Sequence, residues 1–226
     1  MIDNIVLNIP HSSVERGCEN WEDGIQQYID RWTDWHTYKL FQLNSDERVK
    51  SVVFPYSRFY CDVERLIDDP LEAKGQGIVY REFEGLRRTV SRELETEAMA
   101  EYWKHQQKLS EQLNTNSLLI DCHSFPKDLS DVDICIGYND DWSKPSDELL
   151  RLMKEHFEEL GCKVAFNSPY SNSITPATDF EYKSVMIEVN KRLYLRDNNE
   201  MMPDSYKTHA KLVCLYNKIL DTWKNI

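Results

Sequence analysis

Two histidines each stand at the end of a short apolar run, His11 after residues 4–10 (NIVLNIP) and His123 after residues 118–122 (LLIDC). Runs of this kind read as buried strands of an α/β protein, and the carboxyl ends of such strands are where an open sheet assembles its site. Two imidazoles in those places suggest a metal, because histidine is the commonest metal ligand. Asp121, two residues before His123, shares its face of the strand, so its carboxylate is placed to orient the ring from behind. Glu188 lies in the run VMIEV (185–189), where a carboxylate is costly unless it is paired or functional. Desolvation there raises its pKa toward the range useful for proton transfer. A metal centre of this kind also needs a carboxylate ligand and a clamp for its substrate.

Positioning these groups takes a sheet with helices packed on it. Strand-like runs occur at 4–9, 51–56, 58–63, 118–123, 132–137, 163–167 and 184–190. Helical spacing runs through 25–43, and good helix formers fill 86–114. A third helix is expected at 146–160, opened by Pro145 and Ser146 and closed by Gly161. The last covers 204–224, with Leu212, Leu215, Tyr216, Ile219, Leu220 and Trp223 forming one stripe. This alternation predicts an α/β protein with helices on both faces of the sheet, built as one domain over residues 1–226. The loops at 65–77 and 168–183 exceed ordinary connections in length, which marks them as functional candidates.

Composition narrows the function. With 226 residues, 41% hydrophobic and 29% charged, the chain has the balance of a globular protein with a large core. A net charge of -12 argues against a nucleic-acid surface. The arginines Arg81, Arg87, Arg88 and Arg92 read as a solvated helix face. No run approaches the roughly 18 apolar residues of a membrane span, and no basic region with an apolar core opens the chain, so a cytoplasmic protein is expected. Six cysteines are scattered without a Cys-x-x-Cys pair, and Cys122, Cys135 and Cys214, inside apolar runs, read as small buried hydrophobes in a reducing compartment. Cys122 points to the opposite face from His123, which disfavours it as a nucleophile.

Taken in order, the blocks NIPHSS (8–13), TDWH (33–36), SRFYCDVER (57–65), DCHS (121–124), DICIG (133–137), NSPY (167–170) and IEVN (187–190) resemble the N-formylglutamate amidohydrolase family. The resemblance spans about residues 5–195. It implies a fold similar to the zinc carboxypeptidases, a three-layer α/β/α sandwich with a mixed, mostly parallel sheet and a metal at the strand ends. The implied ligands are His11 and His123. A catalytic zinc takes three protein ligands and a water, so one carboxylate must be added. Asp34, in the TDWH block, is the expected third ligand, with Glu15 as the alternative.

Glu188 resembles the catalytic glutamate of the family, which activates the water and then protonates the leaving amine. Arg58 and Arg65 flank Asp62 in a block similar to the family's carboxylate clamp, and a guanidinium fork suits a substrate carboxylate. Arg58 is expected to assist catalysis, while Arg65, Asp62, Tyr170 and Arg192 are expected on the substrate side. Two departures stand out. Glu64 replaces the asparagine of the clamp, and Ser171, Asn172 and Ser173 replace glycines after the Pro-Tyr pair. The expected activity is zinc-dependent cleavage of the amide of a small N-acyl amino acid such as N-formylglutamate; iron, manganese or cobalt would also suit the ligands. A peptide or cell-wall amide hydrolase and a non-catalytic binding module are the alternatives. A cysteine hydrolase using Cys61 or Cys122 is a third.

Overall fold

Nine consecutive buried residues, Ser117–Phe125, form a strand flanked by neighbours on both edges in the computed structural model, which describes residues 1–222. The elements follow the order β1 (Asn4–Ile9), α1 (Gln26–Trp32), α2 (Thr37–Phe41), β2 (Val49–Val53), β3 (Glu82–Phe83), β4 (Leu86–Arg87), α3 (Arg92–Gln112), β5 (Ser117–Phe125), β6 (Ile134–Gly137), α4 (Asp147–Glu159), β7 (Val164–Phe166), β8 (Lys183–Asn190) and α5 (Tyr206–Thr222). Six strands make one sheet in the order β2-β1-β5-β8-β6-β7. Every pairing is parallel except β6 with β8. This is the expected mixed, mostly parallel sheet with helices around it.

Alternation along the strands sorts the side chains between two faces. Ile5, Leu7 and Ile9 of β1, Leu118, Ile120 and Cys122 of β5, and Val185, Ile187 and Val189 of β8 join one core cluster. Leu40 and Phe41 of α2, Leu149, Met153 and Phe157 of α4, and Leu212, Leu215 and Ile219 of α5 complete it. Each such aliphatic or aromatic side chain contributes on the order of 1.5–3 kcal/mol by burial. On the other face Val6, Val52 and Leu119 meet Leu109 and Leu113 at the end of α3. The same alternation puts Asn8, Asp121, His123 and Glu188 on that second face, toward the carboxyl ends of their strands. Register pairs Asn8 with Asp121 and His123 with Glu188, so four polar side chains lie on neighbouring rungs.

The structure departs from the periodicity in three places that bear on the site. Residues 25–43 form two helices, because Thr33 is extended and His36 sits at φ 62°, and this break turns Asp34 inward. The Asp34 amide then donates to the His11 carbonyl at 2.9 Å, tying the break to the end of β1. Residues 58–63 form a turn, not a strand: the amides of Tyr60 and Cys61 both donate to the Ser57 carbonyl, at 2.9 and 3.1 Å. Their alternating apolar character reflects burial in two separate clusters, Phe59 in one and Tyr60, Cys61 and Val63 in the other. The helix expected from 86 begins at Arg92, where Ser91 caps it by accepting from the Leu94 amide at 3.2 Å. The arginines before it do not form a solvated helix face. Arg88 is buried and donates to the carbonyls of Glu19 and Tyr60, and Arg81 pairs with Glu95. Trp223 and residue 224, expected in the last helix, lie outside the described residues.

Candidate active site

His11 follows β1 and His123 lies near the end of β5, with ring centroids 5.1 Å apart. Each ring is held from behind by a buried aspartate: His11 Nε2 to Asp62 Oδ1 at 2.8 Å, and His123 Nε2 to Asp121 Oδ1 at 3.1 Å. This turns both Nδ1 atoms toward one carboxylate oxygen, Asp34 Oδ2, at 3.8 Å from His11 and 3.1 Å from His123. Nδ1 of His11 is buried without a hydrogen-bond partner. When Nε2 carries the proton donated to Asp62, that Nδ1 presents a lone pair to an anionic oxygen, an arrangement that calls for a cation between them. The donor set of two imidazoles and a carboxylate therefore fits a divalent metal of the zinc type. Glu15, the alternative third ligand, is exposed.

Electrostatics within the cluster diverge. Burial, with Arg58 next, pushes His11 down to about 4 despite Asp62. Burial also acts against protonation of His123, but Asp121 and the hydrogen bonds to Asp121, Asp34 and Glu64 outweigh it and hold the ring well above the usual range. Glu188, on the rung beside His123, is 7% exposed, and its Oε2 has no partner. Burial pushes its carboxyl up to about 8, with Asp34 and Asp121 adding to the effect. A group of this kind exchanges a proton near neutrality.

Glu64 accepts from Asn8 Nδ2 at 2.6 Å, and the same amide donates to Asp121 at 2.9 Å. Burial and the neighbouring Asp121 push Glu64 up to about 8. Glu64, Asp121 and His123 form a second close group beside the first. Behind them, His105 of α3 holds the Asn8 carbonyl oxygen at 2.8 Å, which fixes the face the amide turns to the two carboxylates. Neither Asn8 nor His105 stands out in the sequence as functional; a buried polar side chain on a strand is the only signal Asn8 offers.

Arg58, Arg65 and Tyr170 line the cavity in front of Glu188, with His11, Asp34 and His123 at its floor. Asp62 lies behind it, fully buried. Its carboxylate is taken by His11, by Arg58 at 3.1 Å, by the Tyr80 hydroxyl at 2.7 Å and by Arg65 at 3.4 Å. The place expected for it on the substrate side is thus corrected: no oxygen remains to meet a ligand. Arg192 is likewise displaced from the expectation, since its guanidinium is bound to Asp133 at 2.8 and 3.0 Å and to the carbonyls of Ser130 and Asp131. Asn172 of the reshaped loop sits at φ 72°, the left-handed region that favours glycine and that asparagine tolerates. Cys122 is buried in the opposite-face core and Cys61 in a separate cluster, and burial pushes both thiols well up. No thiolate nucleophile is on offer there.

Fold and site together define a class: an α/β protein whose parallel strands carry a paired-histidine, carboxylate-rich centre on one face. The chain belongs to the N-formylglutamate amidohydrolase family, whose profile matches residues 3–195. Its fold is that of an N-formylglutamate amidohydrolase from Ralstonia eutropha, with a TM-score of 0.81 over 98% of this chain and 94% of that one at 19% identity. A gene product of Agrobacterium tumefaciens is similar at a TM-score of 0.68 and 15% identity, covering 96% of this chain and 92% of that one. No curated protein matches the chain.

Proposed function

We propose that this protein hydrolyses the amide bond of a small N-acyl amino acid, with a zinc ion held by His11 Nδ1, His123 Nδ1 and an Asp34 oxygen. The observation that carries this reading is the buried His11 Nδ1, which has no hydrogen-bond partner, facing the Asp34 Oδ2 that His123 Nδ1 also meets. When bound, zinc supplies Lewis acidity to the scissile carbonyl and lowers the pKa of a water.

The chain's own residues do the rest. Glu188, partnerless at Oε2 and poised near neutrality, takes the proton of the attacking water and returns it to the leaving amine. Arg65 and Arg58 face the substrate carboxylate, each steadied by Asp62 from behind. The N–H groups of Arg58 not held by Asp62 also serve the oxygen on which charge develops. Asp62 and Asp121 keep the two rings turned so that Nε2 points away from the reaction.

A buried, unpaired carboxyl argues against a pure binding module, which gains nothing from that cost. Metal analysis of the purified chain tests the reading, together with turnover of formyl- and acetyl-amino acids before and after chelation. Stoichiometric zinc and turnover that disappears with chelator and returns with zinc is the expected result. A chain that neither binds zinc nor hydrolyses any member of the panel after zinc addition would refute it.

A further inference from the structure

The cavity in front of Glu188 has two unlike walls, and the difference bears on which amino acid the substrate carries. One wall starts at Arg65, whose guanidinium lies 6.0 Å from the Tyr80 ring centroid and donates to the Tyr80 hydroxyl at 3.1 Å. Tyr80 stacks on Phe83, with centroids 5.9 Å apart and 7° between the planes, and Trp32 packs in the same apolar cluster. Leu66, the residue after Arg65, lines the cavity yet is 60% exposed. A ligand seated here covers contiguous apolar surface that water otherwise meets.

Charge supports the same conclusion by elimination. Among the described residues Arg58 and Arg65 are the only lysine or arginine side chains lining the cavity. Asp62 contacts both, at 3.1 and 3.4 Å, and so balances one of their two charges. The remaining positive charge matches a single substrate carboxylate. A second one, such as the side chain of glutamate, finds no further lysine or arginine in the lining and instead meets Asp69 and Asp141. Like charges so placed select against that substrate.

Resting on the amidohydrolase reading above, we infer that the substrate is an N-acyl amino acid with an apolar, above all aromatic, side chain. Its α-carboxylate meets Arg58 and Arg65, and its side chain lies against Trp32, Leu66 and Phe83. The cavity, about 660 Å³, lies within the range of pockets that take ligands larger than a formyl group on a short acid.

Two measurements on the intact, zinc-supplemented protein test this. The first is turnover of N-formyl-phenylalanine, -leucine, -glutamate and -lysine. The second is calorimetric binding of 3-phenylpropionate and glutarate, which needs no turnover. The phenylalanine substrate is expected to exceed the glutamate one in kcat/KM by about tenfold or more, and 3-phenylpropionate to bind tighter than glutarate by a similar factor. Leu66→Arg should narrow both gaps, mainly through KM for the glutamate substrate; Trp32→Ala should lower kcat/KM for phenylalanine but not for glutamate. A preference for glutamate and glutarate would overturn the inference. So would a preference for lysine, which would assign Glu64 to a substrate cation. Absence of turnover on all four with 3-phenylpropionate still preferred would support the subsite and count against the amidohydrolase reading. Equal binding of the two acids would end the subsite whatever the turnover.

Discussion

Glu188 is the residue on which the proposed chemistry turns, and its neighbours suggest how to separate its role from that of the ligands. It touches neither His11 nor Asp34 through a hydrogen bond, so Glu188→Gln should leave zinc content unchanged while lowering kcat by about 10²–10⁴. Near-wild-type kcat would remove it from proton transfer. His105 allows a separate test by pH. Burial pulls it down to about 3, so it stays neutral in the fold while the unfolded chain takes up a proton near the ordinary value. Its contribution to stability is therefore complete above about pH 6.5 and is lost as pH falls from there toward about 3. His105→Gln keeps a donor for Asn8 without the titration, so its urea midpoint should fall less than wild type between pH 7 and pH 5; parallel losses would show that other groups dominate. Among these residues His11, His123, Asp121 and Glu188 were legible because strand position and family-like blocks converge on them, and Asp34 through its TDWH block alone. Asn8, His105 and Tyr80 were not, since each acts by satisfying another buried group, and nothing local marks which group that is.

At the level of elements, the parts that place the site are those the hydrophobic pattern describes least well. Strands β1, β5 and β8 and helices α4 and α5 match their apolar runs because burial on one or both faces dictates the sequence there. The break at Thr33–His36 carries no proline or glycine, and the turn at 57–61 imitates a strand because its apolar residues divide between two clusters. In both, tertiary bonds decide a conformation that local preference leaves open: the Asp34 amide donates to the His11 carbonyl, and the Ser57 and Asp62 amides donate to the carbonyls of Glu15 and Ile78. The start of α3, by contrast, is decided locally. Ser91 accepts from the Leu94 amide and does not line the cavity, so Ser91→Ala should cost about 1 kcal/mol. For a chain of this length that corresponds to roughly 2–4 °C in Tm, with kcat/KM unchanged. A loss of activity without a loss of Tm would mean that α3 positions His105 and Asn8 more delicately than a rigid helix does.

For the whole molecule the dominant fact is negative charge, -12 overall, with Asp34, Glu64, Asp121 and Glu188 crowded on one face of the sheet. Such a cluster is self-repelling, and a bound cation relieves it as well as completing the imidazole donor set. Any ion that binds only the folded state stabilises it by RT ln(1 + [L]/Kd), about 4 kcal/mol at a thousandfold excess over Kd. At about 2–4 °C per kcal/mol, zinc should raise Tm by roughly 8–16 °C under those conditions. The comparison ion separates the two sources of that gain. Magnesium relieves charge but prefers oxygen ligands and holds its water, so it should give a far smaller shift than zinc at equal concentration. His11→Ala should abolish most of the zinc shift while leaving the magnesium one, because the carboxylates remain. If magnesium and zinc stabilise equally, and His11→Ala alters neither, then Asp34 and its neighbours form a charge cluster without a zinc site, and the opposed lone pairs of His11 and Asp34 need another explanation.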